Sequence, residues 1–168
     1  SVRKKIAQFI NCKSNEVVFT SGDTMSINLV AWGYGFKFLN ENDEILLSVA
    51  EHASNSLPWF EIAKLKKAKI KFIPLNEKGE ISVENLKKTI SKNTKIVSLA
   101  HISNVLGNSI DIKQFAKIIH SYGSIFVVDG AQSVPHIPVD FADSDIDFLT
   151  FSSHKMCGPT GVGALIGK

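Results

Sequence analysis

Phe148-Leu-Thr-Phe-Ser-Ser-His-Lys-Met-Cys-Gly-Pro-Thr-Gly-Val-Gly163 decides how the chain is read. An apolar run gives way to a single lysine, Lys155, and then to a turn rich in glycine and proline. A lysine at the end of a buried strand has no packing reason to be there. Its amine attacks an aldehyde only when part of it is neutral, which requires desolvation or a neighbouring cation. The strand before it and His154 beside it are expected to supply both. A lone loop lysine is more often merely solvated, so the weight of the reading rests on the residues that accompany it.

Those residues sit in a chain of 168, of which 44% are apolar and 21% charged, enough for one core and one domain. The net charge is +3 and the basic residues are scattered lysines with Arg3 the sole arginine, so no nucleic-acid footprint is present. No run approaches the roughly 18 apolar residues of a membrane span, and no signal peptide opens the chain, so a cytoplasmic setting with no membrane contact is expected. Cys12 and Cys157 are too few and too far apart for a disulfide framework or a zinc site, and no metal site is expected. Apolar residues Val2, Ile6, Phe9 and Ile10 fall on helical spacing with no capping residue before them, and Gly161 to Gly167 reads as a strand with nothing after it. The expectation is a fragment.

Moving outward from Lys155, strands are expected at residues 16–20, 43–48, 69–74, 95–100, 124–129, 147–151 and 162–166, with helices between most of them. Lys69 to Pro74 alternates charged and apolar residues as an edge strand does, and Val134 to Pro138 is read as crossing the surface. Strand and helix in alternation argue an α/β fold: a mainly parallel seven-stranded sheet with helices on both faces. Thr24, His52, Asn104, Asp129 and Lys155 then all fall at or just past strand carboxyl ends, which share one edge in a parallel sheet. Each has a plainer reading: Ser21 or Asp23 as a helix cap, His52 as a surface histidine, Asp129 as the cap of a turn.

Taken together they form an amine, an acid, an imidazole and a helix N-terminus with hydroxyls. A cofactor with an aldehyde, a basic ring nitrogen and a phosphate satisfies each of them, and pyridoxal phosphate has all three. Lys155 would bond the aldehyde as a Schiff base and Asp129 would pair with the ring N–H⁺. The phosphate would lie on the N–H groups around Gly22 to Thr24 with Ser152 and His154 as further donors.

Five stretches carry a resemblance: Phe19-Thr-Ser-Gly-Asp-Thr-Met-Ser-Ile-Asn28, Glu51-His-Ala-Ser-Asn55, His101-Ile-Ser-Asn-Val-Leu-Gly107, Val128-Asp-Gly-Ala-Gln-Ser-Val-Pro-His-Ile-Pro-Val-Asp140 and Ser152-Ser-His-Lys-Met-Cys-Gly-Pro-Thr-Gly-Val-Gly163. Spanning nearly the whole chain in order, they make it similar to the class V aminotransferase family of fold-type I pyridoxal-phosphate enzymes, and within it to the group II (SufS-type) cysteine desulfurases. Group I members usually read Asp-Ala-Thr-Gln where this chain has Asp129-Gly-Ala-Gln132.

The resemblance implies roles. Lys155 holds the cofactor and moves protons at the substrate Cα, with His52 stacked on the ring as the second catalytic residue. Asp129 holds the ring nitrogen, Gln132 and Asn104 bond the phenolic oxygen side, and Thr24, Ser152 and His154 hold the phosphate. It also implies L-cysteine (or L-selenocysteine) as substrate and L-alanine as product, with the sulfur left as a persulfide for a carrier protein in iron–sulfur assembly, and a homodimer. Residues 1–168 would be the large cofactor-binding domain, lacking an N-terminal segment and a smaller C-terminal domain that carries the sulfur-accepting cysteine and a carboxylate-binding arginine. Cys157 is read as a small filler of its turn. Where the family usually has Thr-Thr-Glu this chain has Asp23-Thr24-Met25, and an anionic Asp23 beside a phosphate is repulsive unless it turns away to cap the helix. A selenocysteine lyase or another class V enzyme would keep the same cofactor residues. A non-catalytic remnant serving as an interaction module would have no need of Lys155 and Asp129.

Overall fold

In the computed structural model, which describes Ser1–Lys168, helices and strands alternate around a single sheet. The first part of the chain forms α1 (Val2–Ile10), β1 (Val17–Thr20), α2 (Asp23–Val30) and α3 (Phe36–Phe38), with a π-helical turn over Ala31–Gly35 joining α2 to α3. Next come β2 (Glu44–Ser48), α4 (Leu57–Lys66), β3 (Lys69–Ile73), α5 (Val83–Thr89), β4 (Thr94–Ala100) and α6 (Ile112–Ser121). β5 (Ile125–Asp129), α7 (Ser133–His136), α8 (Phe141–Ser144), β6 (Phe148–Ser152) and β7 (Gly163–Gly167) complete it.

Local chemistry explains the boundaries. Ile112, Phe115, Ala116 and Ile119 fall on one face of α6 and are buried, and the Asp111 side chain accepts from the Gln114 N–H at 2.9 Å to start that helix. Ser82 does the same for α5, accepting from the Asn85 N–H at 3.1 Å. Pro58 stands in the first turn of α4, where a missing N–H costs nothing, and Lys67 in the left-handed region ends it.

The strand order is β1-β7-β6-β5-β4-β2-β3. β6, β5, β4, β2 and β3 are parallel in succession, whereas β7 is antiparallel to both of its neighbours. β1 therefore runs in the same sense as β6, and every strand but β7 ends at one edge. The expectation of a mainly parallel seven-stranded α/β sheet holds, with β3 at one border.

Side-chain alternation builds a core on each face. Leu46, Val97, Leu99, Phe126, Val128, Leu149, Phe151 and Ile166 point toward the face covered by α1, α5, α6 and α8. Ile45, Leu47, Ile96, Val127 and Leu165 point toward the face of α2 and α4, where Trp59 is fully buried. On that second face the same alternation changes to polar residues near the carboxyl edge: Val127 is followed by Asp129, and Phe148 by Thr150 and Ser152. The residues after β5 depart from expectation. Rather than crossing the surface, Val134 is buried in α7, and α8 follows, begun by Asp140 accepting from the Asp143 N–H at 2.8 Å.

The start of α2 is wedged against β7. A side chain on Gly163 would place its first carbon 2.6 Å from Gly22 Cα and 2.7 Å from the Phe151 carbonyl oxygen, and Gly22 itself has φ 154. Two glycines thus allow the turn after β1 to lie directly on the sheet edge. Gly163→Ala should destabilise the fold by about 3 kcal/mol. Gly33→Ala, at a helical position where an added carbon meets nothing within 4 Å, should be neutral or stabilise by up to about 1 kcal/mol. Urea titrations of the two variants measure the contrast.

Candidate active site

All eight residues singled out by sequence converge. Thr24, His52, Asn104, Asp129, Gln132, Ser152, His154 and Lys155 line one cavity of about 240 Å³ at the carboxyl edge of the sheet. Asp23, Ser54, Ala100, Ile102 and Ala131 complete its wall.

Asp129 ends β5 at the floor and is only 5% exposed. Its Oδ1 accepts from the Ala131 N–H at 2.9 Å, and its main-chain oxygen accepts from the His101 N–H at 3.0 Å. The second carboxylate oxygen is left for the cavity. Burial pushes this carboxyl up, while the Ala131 N–H, Lys155 and His52 pull it back.

Lys155 and His154 lie on a 3₁₀ turn, Ser153–Met156, that continues β6. Both side chains are exposed. The desolvation expected for the Lys155 amine is therefore not supplied by these residues, because the turn carries it beyond the edge of the sheet. Cys157 is corrected too: it is exposed, with φ 61, and fills nothing. Cys12 is half-buried between α1 and β1, and neither cysteine reaches the cavity.

His52 opens a 3₁₀ turn, Ala53–Asn55, after β2. Its Nδ1 accepts from the Ser54 N–H at 3.2 Å and lies 2.7 Å from Ser54 Oγ, an arrangement that places the proton of the neutral ring on Nε2. The loop is anchored from beneath by Glu51, quoted in a motif but given no role by sequence. Glu51 Oε2 accepts from the Ala100 N–H at 2.8 Å and from Asn55 Nδ2 at 2.7 Å, and Oε1 accepts from Ser48 Oγ at 2.5 Å. Asn55 Oδ1 in turn accepts from Ser98 Oγ at 2.6 Å. The available signal was Ser98, a hydroxyl inside an otherwise apolar strand. Burial raises the Glu51 carboxyl to about 7 against the opposing pull of the Ser48 and Asn55 donors.

Asp23 is the other residue that sequence misjudged. Neither it nor Ser21 caps α2: the cap position is Gly22, with no side-chain hydrogen bond. The Asp23 main-chain N–H donates to Ser152 Oγ at 2.7 Å, which leaves the Ser152 hydroxyl proton free to donate elsewhere. The Asp23 side chain is 6% exposed and its Oδ1, sealed from solvent, has no hydrogen-bond partner. Burial, then the charge of Asp129, lift its carboxyl to about 7. A helix start favours an anion by up to about 2 kcal/mol in a partly buried setting, whereas burying an unpartnered carboxylate costs several. Burial wins.

Comparison with known proteins places the site in context. The profile of the aminotransferase class-V family matches residues 1–168. A protein of Halalkalibacterium halodurans described as a probable cysteine desulfurase is 48% identical over 99% of this chain, which spans 41% of that relative's length. The crystal structure of the cysteine desulfurase CsdA from Escherichia coli superposes with a TM-score of 0.96 at 42% identity, covering 99% of this chain and 42% of its own. SspA in complex with cysteine superposes with a TM-score of 0.90 at 30% identity, covering 98% of this chain and 47% of its own.

The buried Glu51 has a measurable consequence. In the unfolded chain a glutamate loses its proton near its ordinary value of 4.5, but the folded protein keeps it to about 7. The stabilisation from this group is full below the unfolded value and is lost as pH rises to about 7, a decline of about 3 kcal/mol. Glu51→Gln, whose amide can meet the same partners, should remove that part of the slope. Urea titrations of both proteins between pH 4 and pH 8 provide the comparison.

Proposed function

The chain belongs to the aminotransferase class-V family, and from that membership and the cavity we propose that it is the pyridoxal-phosphate-binding large domain of a cysteine desulfurase. The single observation that supports this most is the cavity lining, in which an amine, a buried acid and a helix start face one another. The donor set fits the cofactor: a buried carboxylate with an oxygen left unbonded, a hydroxyl with a free proton, and a lysine that no ion pair occupies.

In this reading Lys155 Nζ carries the cofactor aldehyde and shuttles the proton at the substrate Cα. Asp129, buried and with one carboxylate oxygen left unbonded, holds the proton on the ring nitrogen. His52, held by Ser54 and by the loop that Glu51 anchors, covers the ring face. Asn104 and Gln132 offer amides to the phenolic oxygen side. Ser152, His154, Thr24 and the unpaired first-turn N–H groups of α2 hold the phosphate. When bound, the cofactor supplies an electron sink for the bonding pair released at Cα.

L-cysteine is the substrate that the relatives favour, with one solved neighbour in complex with cysteine. The products would be L-alanine and a sulfur atom passed, as a persulfide, to a carrier protein for iron–sulfur assembly. Since Cys12 and Cys157 both lie off the cavity, the sulfur acceptor is assigned to a part of the protein beyond these residues, in keeping with the 41% of the relative's length that they span. A second copy completing the site is part of the same proposal.

Adding pyridoxal phosphate to the protein produced from its natural reading frame should give a visible absorbance band that Lys155→Ala abolishes. Asp129→Asn should keep the band but lower conversion of L-cysteine by on the order of 100-fold. No band in the unaltered protein, or an equal one in Lys155→Ala, overturns the reading.

A further inference from the structure

One group in the cavity has no part in the scheme above. Asp23 stands at the first position of α2, with its side chain turned inward rather than toward the helix start it could have capped. Beside it, Thr150 Oγ1 is likewise sealed from solvent, and its hydroxyl lies near enough to the Asp23 carboxyl to favour the anion, against the larger effect of burial. Thr150 is the direct cross-strand neighbour of Asp129. Two carboxyls, one on α2 and one on β5, thus stand almost wholly buried in the wall of one cavity, with no arginine or buried lysine between them.

The charged surroundings are few. From β5 comes Asp129, from the turn after β6 come His154 and Lys155, and from the loop after β2 come His52 and, behind it, Glu51. β1, β6 and β7, which also pack on α2, carry no ionisable side chain, and the π-helical turn brings only Tyr34, whose ring packs tilted against Phe38 with ring centroids 4.6 Å apart. Lys155 and Asp129 act on Asp23 in opposite senses. A phosphate arriving at the start of α2 opposes the Asp23 anion further.

We propose that Asp23 is a proton switch for the anion site at the start of α2: its neutral carboxyl admits the cofactor phosphate, and its ionised form expels it. This rests on the pyridoxal-phosphate reading and adds to it a linkage between cofactor retention and pH that runs through one residue. A proton is taken up by Asp23, or retained there, whenever the phosphate is bound. Thr24, Ser152 and His154 are the groups that contact the anion, and Asp23 acts on their ligand through its charge alone.

A carboxyl that titrates at about 7 is almost wholly neutral at pH 6 and about 3% neutral at pH 8.5, so the apparent Kd should rise about 30-fold over that interval. The test measures the Kd for pyridoxal phosphate, by the visible band, at both pH values in the protein produced from its natural reading frame, in Asp23→Asn and in Asp23→Ser. The unaltered protein should lose about 30-fold more affinity than either variant, since their remaining pH dependence reports Lys155 and the phosphate itself. Pyridoxal, which lacks the phosphate, should show no difference between the three proteins. An equal pH dependence in all three, with the band intact, overturns the switch and leaves the cofactor reading standing. A band missing from every protein strikes the cofactor reading instead. The switch is then decided by carbon-13 NMR of the Asp23 carboxyl, whose midpoint should lie near neutrality, and a midpoint near 4 overturns it.

Discussion

The reversal of β7 between β1 and β6 is the constraint on which the rest of the molecule depends. Because β7 is antiparallel to both neighbours, β1 regains the direction of β6, and the helix that follows it starts at the same edge as Asp129 and Lys155. Had β7 been parallel to β6 and antiparallel only to β1, α2 would begin at the opposite edge and the cavity would lose its wall of backbone N–H groups. The close approach of Gly163 to Gly22 maintains this arrangement at atomic range, since no larger residue leaves room for the turn.

On that frame the chemistry arises from a change of pattern rather than from special geometry. The face of the sheet toward α2 is apolar in its middle and polar at its end, and the change occurs within one residue pair on each of β5 and β6. Parallel strands buried on both sides leave no solvent for such side chains, so the polar groups must find partners, a ligand, or protons. Asp129 has the Ala131 N–H and an open oxygen. Glu51 has three donors and is still pushed toward its neutral form by burial. Asp23 has no partner at Oδ1 and is pushed toward its neutral form, by burial first and then by the charge of Asp129.

Much of this was legible without coordinates. The seven strands could be located because each is a short apolar or alternating run ended by turn residues, and the site because Thr24, His52, Asn104, Asp129 and Lys155 each lie at or just past the end of one. What escaped was whatever lacked periodicity. The one-turn helices α7 and α8 are too short to show a hydrophobic face, and the inward turn of Val134 followed only from the packing beneath it. The exposure of Lys155 was missed because an apolar strand suggests burial for the residues after it, although a 3₁₀ turn carries the chain outward within three positions. Glu51 was passed over because a charged residue next to a histidine reads as solvated, and its three partners come from β2, the following turn and β4.

The amino-acid sequence alone determined the fold class, the order of the elements and the residue types gathered at one edge, because hydrophobic periodicity and turn chemistry act over a few neighbouring positions. Only the tertiary structure decided which of those groups are charged. Asp23 reads in sequence as an ordinary helix-start acid, and its carboxyl is shifted toward the neutral form first by burial and then by the charge of Asp129, 106 positions away, which the fold brings near it.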